Sequence, residues 1–309
     1  MKKTLLFITA MILFFAGCKK DDVIEASKVE ITNETIERGF DYIKINVEYD
    51  YPVELEAVTL YLSEKEDLSG ARNYSCKIEG KTFSVEVKDL KEGTRYYYQY
   101  EYDNGYGKST VYGEEKSFNT LINGHDWVNL GLSSGLKWAT CNVGANNPED
   151  YGDYYAWGET TTKSEYTEEN SLTYGLSISE LQSQGIIDGD HNLTPSHDAA
   201  TANWGGTWRL PTKAEMVELK NNCTWEWTVQ GGRNGYKVTG PNGNNIFLPA
   251  AGYRYGSSLY PAGENGFYWS SAPIDTDSGY AWYLYFVSGV QTMNLYDRSD
   301  GLPVRPVAE

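Results

Sequence analysis

Two strings in the sequence have residue types found in catalytic or phosphate-binding motifs. Residues 131–135 read Gly-Leu-Ser-Ser-Gly and match the GxSxG pattern, in which a serine nucleophile stands at a strand-to-helix turn. Apolar residues alternate before and after this string, so we predict a loop between two strands. Residues 107–109 read Gly-Lys-Ser, the end of a phosphate-binding loop, but Tyr102 stands where that motif needs a glycine. Neither string predicts a catalytic residue.

A group of histidines and carboxylates is the densest set of candidate metal ligands. It comprises His191 and His197 with Asp188, Asp190 and Asp198. The spacing matches no zinc helix, and the Asp-Gly-Asp string lacks the rest of an EF-hand loop. We predict a polar loop that ends in a helix N-cap at Asp198, with no metal and no cofactor. Calcium held by these carboxylates is the alternative.

The cysteines exclude two common kinds of site. The chain has Cys18, Cys76, Cys141 and Cys223, and no two of them form a CxxC pair. A zinc ribbon and a thioredoxin-like redox site both need such pairs. An oxidising compartment would permit a disulfide between Cys141 and Cys223, which would leave Cys76 unpaired.

The first residues have the order of a secretion signal. Two lysines precede an apolar run over residues 5–15, which is too short to span a bilayer comfortably. Residues 15–18, Phe-Ala-Gly-Cys, resemble the lipobox of bacterial lipoproteins, although Phe15 departs from the usual leucine. The resemblance implies a signal peptide over residues 1–17, lipidation of Cys18, a tether over residues 18–26 and contact with the membrane through acyl chains alone. A plain secretory signal is the alternative.

The residues after Cys18 bear on the destination of the protein. Residues 19–22 read Lys-Lys-Asp-Asp and resemble the signal that exports some lipoproteins of Bacteroidetes-type bacteria to the outer face of the outer membrane. This resemblance implies a surface-exposed outer-membrane lipoprotein. A short charged tether is the alternative reading of the same residues.

The charge of the chain disfavours anionic partners. Of 309 residues, 43 are acidic and 26 are basic, which gives a formal net charge of −17. Residues 24–120 carry 12 basic and 20 acidic side chains, and residues 121–309 carry 10 and 21. Both segments are acidic, so charge attraction does not favour binding to nucleic acid or to an anionic membrane surface.

Residues 27–120 are predicted to form a small β-sandwich. Apolar and polar residues alternate in four runs, which are typical of antiparallel strands buried on one face. The four runs are Ile43, Ile45 and Val47, then Val58, Leu60 and Leu62, then Phe83, Val85 and Val87, and last Tyr96, Tyr98 and Tyr100. Residues 90–96, Leu-Lys-Glu-Gly-Thr-Arg-Tyr, resemble the corner of fibronectin type III domains, where a tyrosine bonds back across a turn.

Residues 124–309 differ in composition, since all nine tryptophans lie at or beyond Trp127. Short apolar strands and glycine or asparagine turns dominate, with brief helices that start at Asp198 and at the Thr212/Glu215 capping box. The fold class is therefore predicted as mainly β, with a second, α+β unit of few short helices after the sandwich.

Six blocks in this segment resemble one family, the Fibrobacter succinogenes major paralogous domain. They are residues 135–144 (GLKWATCNVG), 154–159 (YYAWGE), 208–212 (WRLPT) with Glu215, 248–254 (LPAAGYR), 268–271 (YWSS) and 304–307 (VRPV). The resemblance implies a C-type-lectin-like fold related to formylglycine-generating enzymes. Those enzymes use a cysteine pair late in the chain, whereas no cysteine follows Cys223 here. We therefore expect no enzymatic activity.

The C-terminal strands carry the predicted ligand-binding surface. Alternation over residues 281–286 predicts that Trp282, Leu284 and Phe286 face the core and that Tyr283 and Tyr285 face outward. Tyrosine beside small polar residues is typical of adaptable binding surfaces, and it also suits a sugar ring. The residues predicted to bind ligand are Tyr255, Tyr260, Tyr280, Tyr283, Tyr285, Asn294, Tyr296 and Asp297.

The same segment resembles the variable proteins of diversity-generating retroelements. These keep a fixed frame while adenine mutagenesis rewrites the residues in between. The frame positions matched here are residues 268–271, Ala281, Trp282, Leu284, Phe286, Arg298 and residues 304–307. The alternative is a set of tyrosines that merely covers a tight β-surface.

These observations predict a surface-anchored protein that binds an unidentified glycan or protein. A fibronectin-like stalk would present a lectin-like head to that ligand. Two other functions stay open, a structural or tip component of a surface appendage and a metal-dependent enzyme accessory near residues 188–198.

Overall fold

The computed structural model of the protein describes residues 29–103 and 111–309. The predicted signal sequence, Cys18 and the tether lie outside the described residues, as does the Gly-Lys-Ser string at residues 107–109. Within the described ranges, no helix is both long enough and apolar enough to cross a membrane.

The first part of the chain forms two antiparallel sheets that face each other. Strands β1, β2, β6 and β5 pair in that order, strands β4, β3, β7 and β8 form the second sheet, and β9 pairs with β7. The strands are β1 (Glu30–Arg38), β2 (Ile43–Asp50), β3 (Ala57–Ser63), β4 (Arg72–Ser75), β5 (Lys77–Glu79), β6 (Thr82–Val87), β7 (Arg95–Asp103), β8 (Val111–Tyr112) and β9 (Lys116–Asn119).

All four runs of alternating residues lie in strands of this sandwich. The apolar members of each run are buried and their polar neighbours are more exposed, as in the strict alternation along β2. The buried residues of both sheets, among them Val47, Leu60, Phe83 and Tyr100, belong to one hydrophobic cluster. The predicted β-sandwich and the mainly β class are confirmed.

The predicted tyrosine corner is present. The backbone N–H of Lys91 donates to the hydroxyl of Tyr96 over 2.9 Å, five residues away across the turn before β7. Gly93 lies in this turn with a φ of +57°, and a Cβ there would stand 2.8 Å from Cγ1 of Ile122. Both the left-handed backbone and the close approach require glycine.

The second part of the chain contains small sheets and three short helices. The strands are β10 (Trp127–Asn129), β11 (Lys137–Ala139), β12 (Thr224–Gln230), β13 (Arg233–Thr239), β14 (Asn245–Pro249), β15 (Tyr253–Tyr255), β16 (Ser258–Tyr260), β17 (Gly266–Pro273), β18 (Tyr280–Val287), β19 (Val290–Asp297) and β20 (Val307–Ala308). The helices are α1 (Ile178–Ser183), α2 (Ala199–Trp204) and α3 (Lys213–Asn222), with a single 3-10 turn at Glu168–Asn170. The sheets pair as β10-β11-β20, β12-β13-β14, β15-β16 and β17-β18-β19.

Both predicted helix starts are confirmed. The carboxylate of Asp198 accepts from the N–H of Thr201 over 2.9 Å and caps α2. In α3, Thr212 and Glu215 exchange the two hydrogen bonds of a capping box. Helix α1 was not predicted, although Ser177 and Glu180 cap it in the same way.

The sheet β17-β18-β19 lies between two hydrophobic clusters. Phe267, Trp269 and Tyr283 belong to the cluster on one face, whereas Leu284 and Phe286 belong to the cluster on the other. Neighbouring residues of a strand point to opposite faces, so this sheet is covered on both sides. That double covering decides which of its side chains can meet a ligand.

Two buried arginines brace this part of the chain. Arg305 donates from Nε to the side-chain oxygen of Asn142 over 2.8 Å, and from Nη1 to the carbonyls of Ala139 and Thr140. Arg298 donates to the carbonyls of Tyr280 and Leu176, each over 2.9 Å. Burial lowers the pKa of Arg298 to about 10.

Several direct contacts join the two parts. Arg38 of β1 forms two hydrogen bonds with the carboxylate of Asp126, over 3.1 Å and 2.5 Å. The indole of Trp127 donates to the carbonyl of Thr120 over 2.8 Å, and His125 stacks on Trp204 at 3.7 Å between ring centroids. The segment that follows β9 is therefore held against both parts, while the predicted domain limits stay a prediction.

Candidate ligand-binding surface

An aromatic cluster, here called the tyrosine face, covers one side of the sheet β17-β18-β19. The strand register places Tyr283 of β18 opposite Asn294 of β19, and Tyr285 opposite Phe267 of β17. Tyr253 of β15 lies over this side, with ring centroids 4.8 Å from Phe267 and 5.0 Å from Tyr296. The members of the tyrosine face are Tyr253, Tyr260, Phe267, Tyr283, Tyr285 and Tyr296.

The predicted outward orientation of Tyr283 is wrong. Its side chain is only 3% exposed and stacks on Phe267 at 5.4 Å, with the rings 4° from parallel. The reason is that this side of the sheet is covered, because Tyr283 belongs to the hydrophobic cluster around Phe267 and Trp269, and Tyr253 of β15 packs on Phe267 and Tyr296. Burial also raises the pKa of the Tyr283 hydroxyl. Tyr283 therefore packs beneath the surface and is not accessible to a ligand.

The neighbours of Tyr283 depart from the prediction less strongly. Tyr285 is half-buried, and its hydroxyl accepts a hydrogen bond from the amide of Asn265 over 3.2 Å. Leu284 and Phe286 are buried as predicted. Trp282 was predicted in the core but is half-buried, with the ammonium of Lys213 3.3 Å from its ring centroid.

The open edge of the tyrosine face consists of residues that water reaches. Tyr255 is 61% exposed and Tyr260 45%, and Leu259 beside Tyr260 is exposed as well. Tyr280 is 39% exposed at the start of β18, on the face that it shares with Trp282 and Leu284. Asn294 is exposed, whereas Tyr296 and Asp297 are half-buried. Seven of the eight predicted ligand-binding residues are thus at least partly accessible, and Tyr283 is the exception.

Three carboxylates lie near Tyr280 and Tyr296 and are called the acidic cluster, namely Glu168, Asp297 and Asp300. Asp300 is 5% exposed, and its Oδ1 is buried with no hydrogen-bond partner among the described residues. Burial, followed by the charges of Asp297 and Glu168, raises the pKa of Asp300 to about 7. Asp297 accepts hydrogen bonds from the backbone N–H and hydroxyl of Ser299.

A loop far away in sequence completes the acidic cluster. A hydrogen bond to Glu168, with burial next, raises the pKa of Tyr174 to about 12, and Asp297 and Tyr280 add to this effect. The N–H of Gly175 donates to the carbonyl of Ser278 over 3.0 Å, which fixes this loop beside β18. Glu168 and Tyr174 were not predicted, because no local pattern links residues more than 100 positions apart.

The polar groups of the loop over residues 188–198 bond within the loop and to neighbouring parts of the chain. The Oδ1 of Asp188 accepts from the backbone N–H of Asp190 and of Asn192, each over 2.9 Å. His191 lies 3.1 Å from a carboxylate oxygen of Asp275, and His197 lies 3.1 Å from the carbonyl of Gly158. Within residues 29–103 and 111–309, no group of three or more His, Cys, Asp or Glu side chains is placed to hold a metal ion.

The remaining motifs have structural roles. Ser133 of the GxSxG string lies in the loop between β10 and β11, as predicted, and its hydroxyl donates to Glu218 over 2.6 Å. The disulfide that an oxidising compartment would permit between Cys141 and Cys223 is not formed in this structure, where both are free thiols. Cys223 packs against the cluster that contains Leu284, whereas the thiol of Cys141 lies 3.6 Å from the hydroxyl of Thr140. Cys76 is also free.

The fold and the exposed aromatic edge define a mainly β protein with a surface suited to binding. The family model described as the Lcl C-terminal domain matches residues 131–308, and the chain belongs to that family. The family comprises bacterial surface and lectin-like proteins, and membership fits a surface binding or adhesion protein. A comparison with curated proteins found no match.

Comparison with solved structures finds fibronectin-like domains. The FN1–FN3 domains of chicken CNTN1 are 14% identical over 31% of this chain, with a TM-score of 0.26. The match covers 33% of that chicken chain, so the present chain spans about a third of its length. The third fibronectin III domain of human KIAA0343 protein is 14% identical over 35% of this chain and 90% of its own, with a TM-score of 0.25.

Proposed function

We propose that the protein is a lipid-anchored binding or adhesion protein on the outer face of the outer membrane. In this proposal Cys18 carries the lipid, the fibronectin-like sandwich is a stalk, and residues 124–309 form a lectin-like head. The single observation that carries the proposal is the exposure of Tyr255 and Tyr260 at the open edge of the tyrosine face, with Tyr280 also exposed at the start of β18.

The chemistry of this edge supports binding rather than catalysis. A tyrosine ring offers a large rigid contact area at a low cost in conformational entropy, and its hydroxyl adds hydrogen bonds. Contiguous exposed patches of large apolar residues often mark interaction sites. The buried rings of Tyr283 and Phe267 hold the edge in one geometry, which reduces the entropy that binding must overcome. We propose no covalent chemistry.

The structure also supports a diversified surface on a constant frame, as in variable proteins of diversity-generating retroelements. Frame residues such as Trp269, Leu284 and Arg298 are buried. Positions between them, including Tyr280 and Asn294, are exposed, so substitution there would leave the core intact. The proposal retains the Fibrobacter succinogenes major paralogous domain as the relative that this arrangement resembles.

Binding at the open edge is tested with two matched variants of the full chain. Ligands are first identified by screening the wild-type protein on arrays of glycans and of envelope and host proteins. We expect the triple variant Tyr255→Ala, Tyr260→Ala and Tyr280→Ala to lose these ligands. The control variant Phe40→Ala and Val229→Ala, which also removes exposed apolar side chains, should keep them. Retention of all ligands by the triple variant would refute this assignment of the surface.

Diversification is tested separately by sequencing the 3′ end of the gene deeply in one clonal culture and in related isolates. Substitutions confined to adenine-containing codons between residues 255 and 300, with codons for Trp269, Leu284 and Arg298 unchanged, are the expected result. An invariant segment would remove diversification from the proposal and leave the binding function to be tested as above.

A further inference from the structure

The acidic cluster has no counter-charge of its own. Among the residues that the structure describes, none of Glu168, Asp297 and Asp300 forms a salt bridge. A carboxylate that is removed from water costs free energy unless it is paired or fully hydrogen-bonded. Only 5% of the surface of Asp300 is exposed, and its Oδ1 accepts no hydrogen bond from the described residues.

The nearest arginines are engaged elsewhere. The guanidinium of Arg298 donates to backbone carbonyls and lies 5.0 Å from the ring of Trp157. The guanidinium of Arg254, on β15, lies 5.3 Å from the ring of Tyr154. Neither forms a salt bridge with Asp300. The negative charge of the acidic cluster is therefore available to attract a cationic group of a ligand.

One exposed and one half-buried aromatic ring stand beside these carboxylates. Tyr280 pairs with Asp297 across β18 and β19, and Tyr174 shares a hydrogen bond with Glu168. A cation is attracted both to carboxylates and to the face of an aromatic ring, and the two attractions add where they coincide. The combination of acidic and aromatic groups selects an organic cation over a bare metal ion, which needs several oxygens gathered at bonding distance.

We propose that the acidic cluster binds a lysine or arginine side chain of a protein ligand at the edge of the tyrosine face. This inference rests on the proposed binding function and adds the chemical class of the ligand. The cation lies beside Glu168 and Asp297 and offsets the charge of Asp300 beneath them, while Tyr174 and Tyr280 contact its apolar stem. Sulfated or otherwise anionic glycans are disfavoured at the same place, since like charges repel.

Binding through this cluster depends on pH. Asp300 must be ionised to attract the cation, and its pKa of about 7 places that change within the working range. The other ionisable groups that face it are Asp297, Glu168 and Tyr296, together with the nearby Tyr174, Tyr280, Arg254 and Arg298. Lysine stays protonated throughout, so affinity rises as the pH increases from 6 to 8.

The probe for the test is a blocked pentalysine peptide, measured by calorimetry with the full chain at physiological ionic strength. We expect Glu168→Gln and Asp300→Asn each to weaken binding by roughly tenfold. Glu226→Gln, which removes the same charge from the exposed side of β12, should leave the affinity unchanged. Glu168 is exposed, so its substitution tests the inference without affecting folding. Asp300→Asn should also abolish the rise of affinity between pH 6 and 8.

Several outcomes would overturn this inference. They are no binding of pentalysine, equal loss in Glu226→Gln, or displacement of the peptide by Ca²⁺ at low concentration. Ligands that survive Glu168→Gln and Asp300→Asn but are lost in the tyrosine triple variant would refute the cationic class alone. Ligands that survive all of these variants would refute the proposed binding surface itself.

Discussion

Tyr283 and Tyr255 have the same side chain in two different environments. The ring of Tyr283 is enclosed by Phe267, Tyr285 and Tyr296, whereas Tyr255 at the end of β15 is 61% exposed. Removing a buried aromatic ring leaves a cavity and loses its apolar contacts, while removing an exposed ring loses little. The two residues therefore separate a structural contribution to the surface from a binding contribution.

Tyr283→Ala should lower the free energy of unfolding by about 3–5 kcal/mol, the range for buried aromatic truncation. Tyr255→Ala should change it by less than about 0.5 kcal/mol. Urea unfolding followed by tryptophan fluorescence measures both, and it reports on residues 127–309 because no tryptophan precedes Trp127. Equal stability of the two variants would contradict the burial of Tyr283.

Asp300 links stability to pH with a defined sign. Its pKa is raised from an ordinary 3.8 to about 7 in the folded protein, so the folded state binds this proton more tightly than the unfolded state. The contribution of Asp300 to the free energy of unfolding is fully present below about pH 4 and is lost as the pH rises through 7. Asparagine mimics the protonated acid at every pH.

The predicted result follows from that linkage. Between pH 5 and pH 8 the wild-type protein should lose roughly 2–3 kcal/mol of unfolding free energy that Asp300→Asn retains, at about 1.4 kcal/mol per pKa unit. Urea unfolding at the two pH values gives the difference. A variant that is stabilised at pH 8 yet binds a cationic ligand less well would mark Asp300 as a residue kept for function. Parallel pH profiles of the two proteins would contradict the raised pKa.

At the scale of elements, alternation predicted the strands but not which face meets water. The pattern in residues 281–286 correctly separated Tyr283 and Tyr285 from Leu284 and Phe286. It could not reveal that Tyr253 of β15 packs on the tyrosine side, because that contact joins distant parts of the chain. Local signals such as the Tyr96 corner and the Asp198 cap were predicted correctly, since their partners lie within five residues.

Asp198 has a second partner that the sequence does not show. Its Oδ2 accepts from the backbone N–H of Leu210 over 2.7 Å and ties the start of α2 to the strand-like segment before α3. Asp198→Ala should cost about 2–4 kcal/mol, because it removes a cap and leaves a buried N–H without an acceptor. Ser177→Ala, which removes the cap of the exposed start of α1, should cost about 1 kcal/mol. Tryptophan-detected unfolding compares them, and equal costs would exclude the tie to Leu210.

At the scale of the whole molecule, the junction determines whether the head is held at a fixed angle to the stalk. Hydrogen bonds join Arg38 to Asp126, the indole of Trp127 to the carbonyl of Thr120, and the amide of Asn119 to the carbonyl of Trp127. In the connecting segment, Ile122 accepts from the indole of Trp208 and Asn123 donates to the carbonyl of Trp204. These contacts hold the segment after β9 against both the β-sandwich and the second part of the chain. In the proposed surface protein, a stalk that is coupled to its head would present the tyrosine face in one direction.

The coupling can be measured because the tryptophans report on the head alone. Arg38 lies in the stalk, and its guanidinium bonds to Asp126 and to the carbonyl of Asn119. Arg38→Gln should therefore lower the tryptophan-detected free energy of unfolding by about 0.5–1 kcal/mol, and Asp126→Asn should add little to it. Lys91→Gln breaks an ion pair with Glu64 inside the stalk and should leave this transition unchanged. If Arg38→Gln also leaves it unchanged, the head unfolds independently, and its orientation must come from the indole contacts of Trp127 and Trp208.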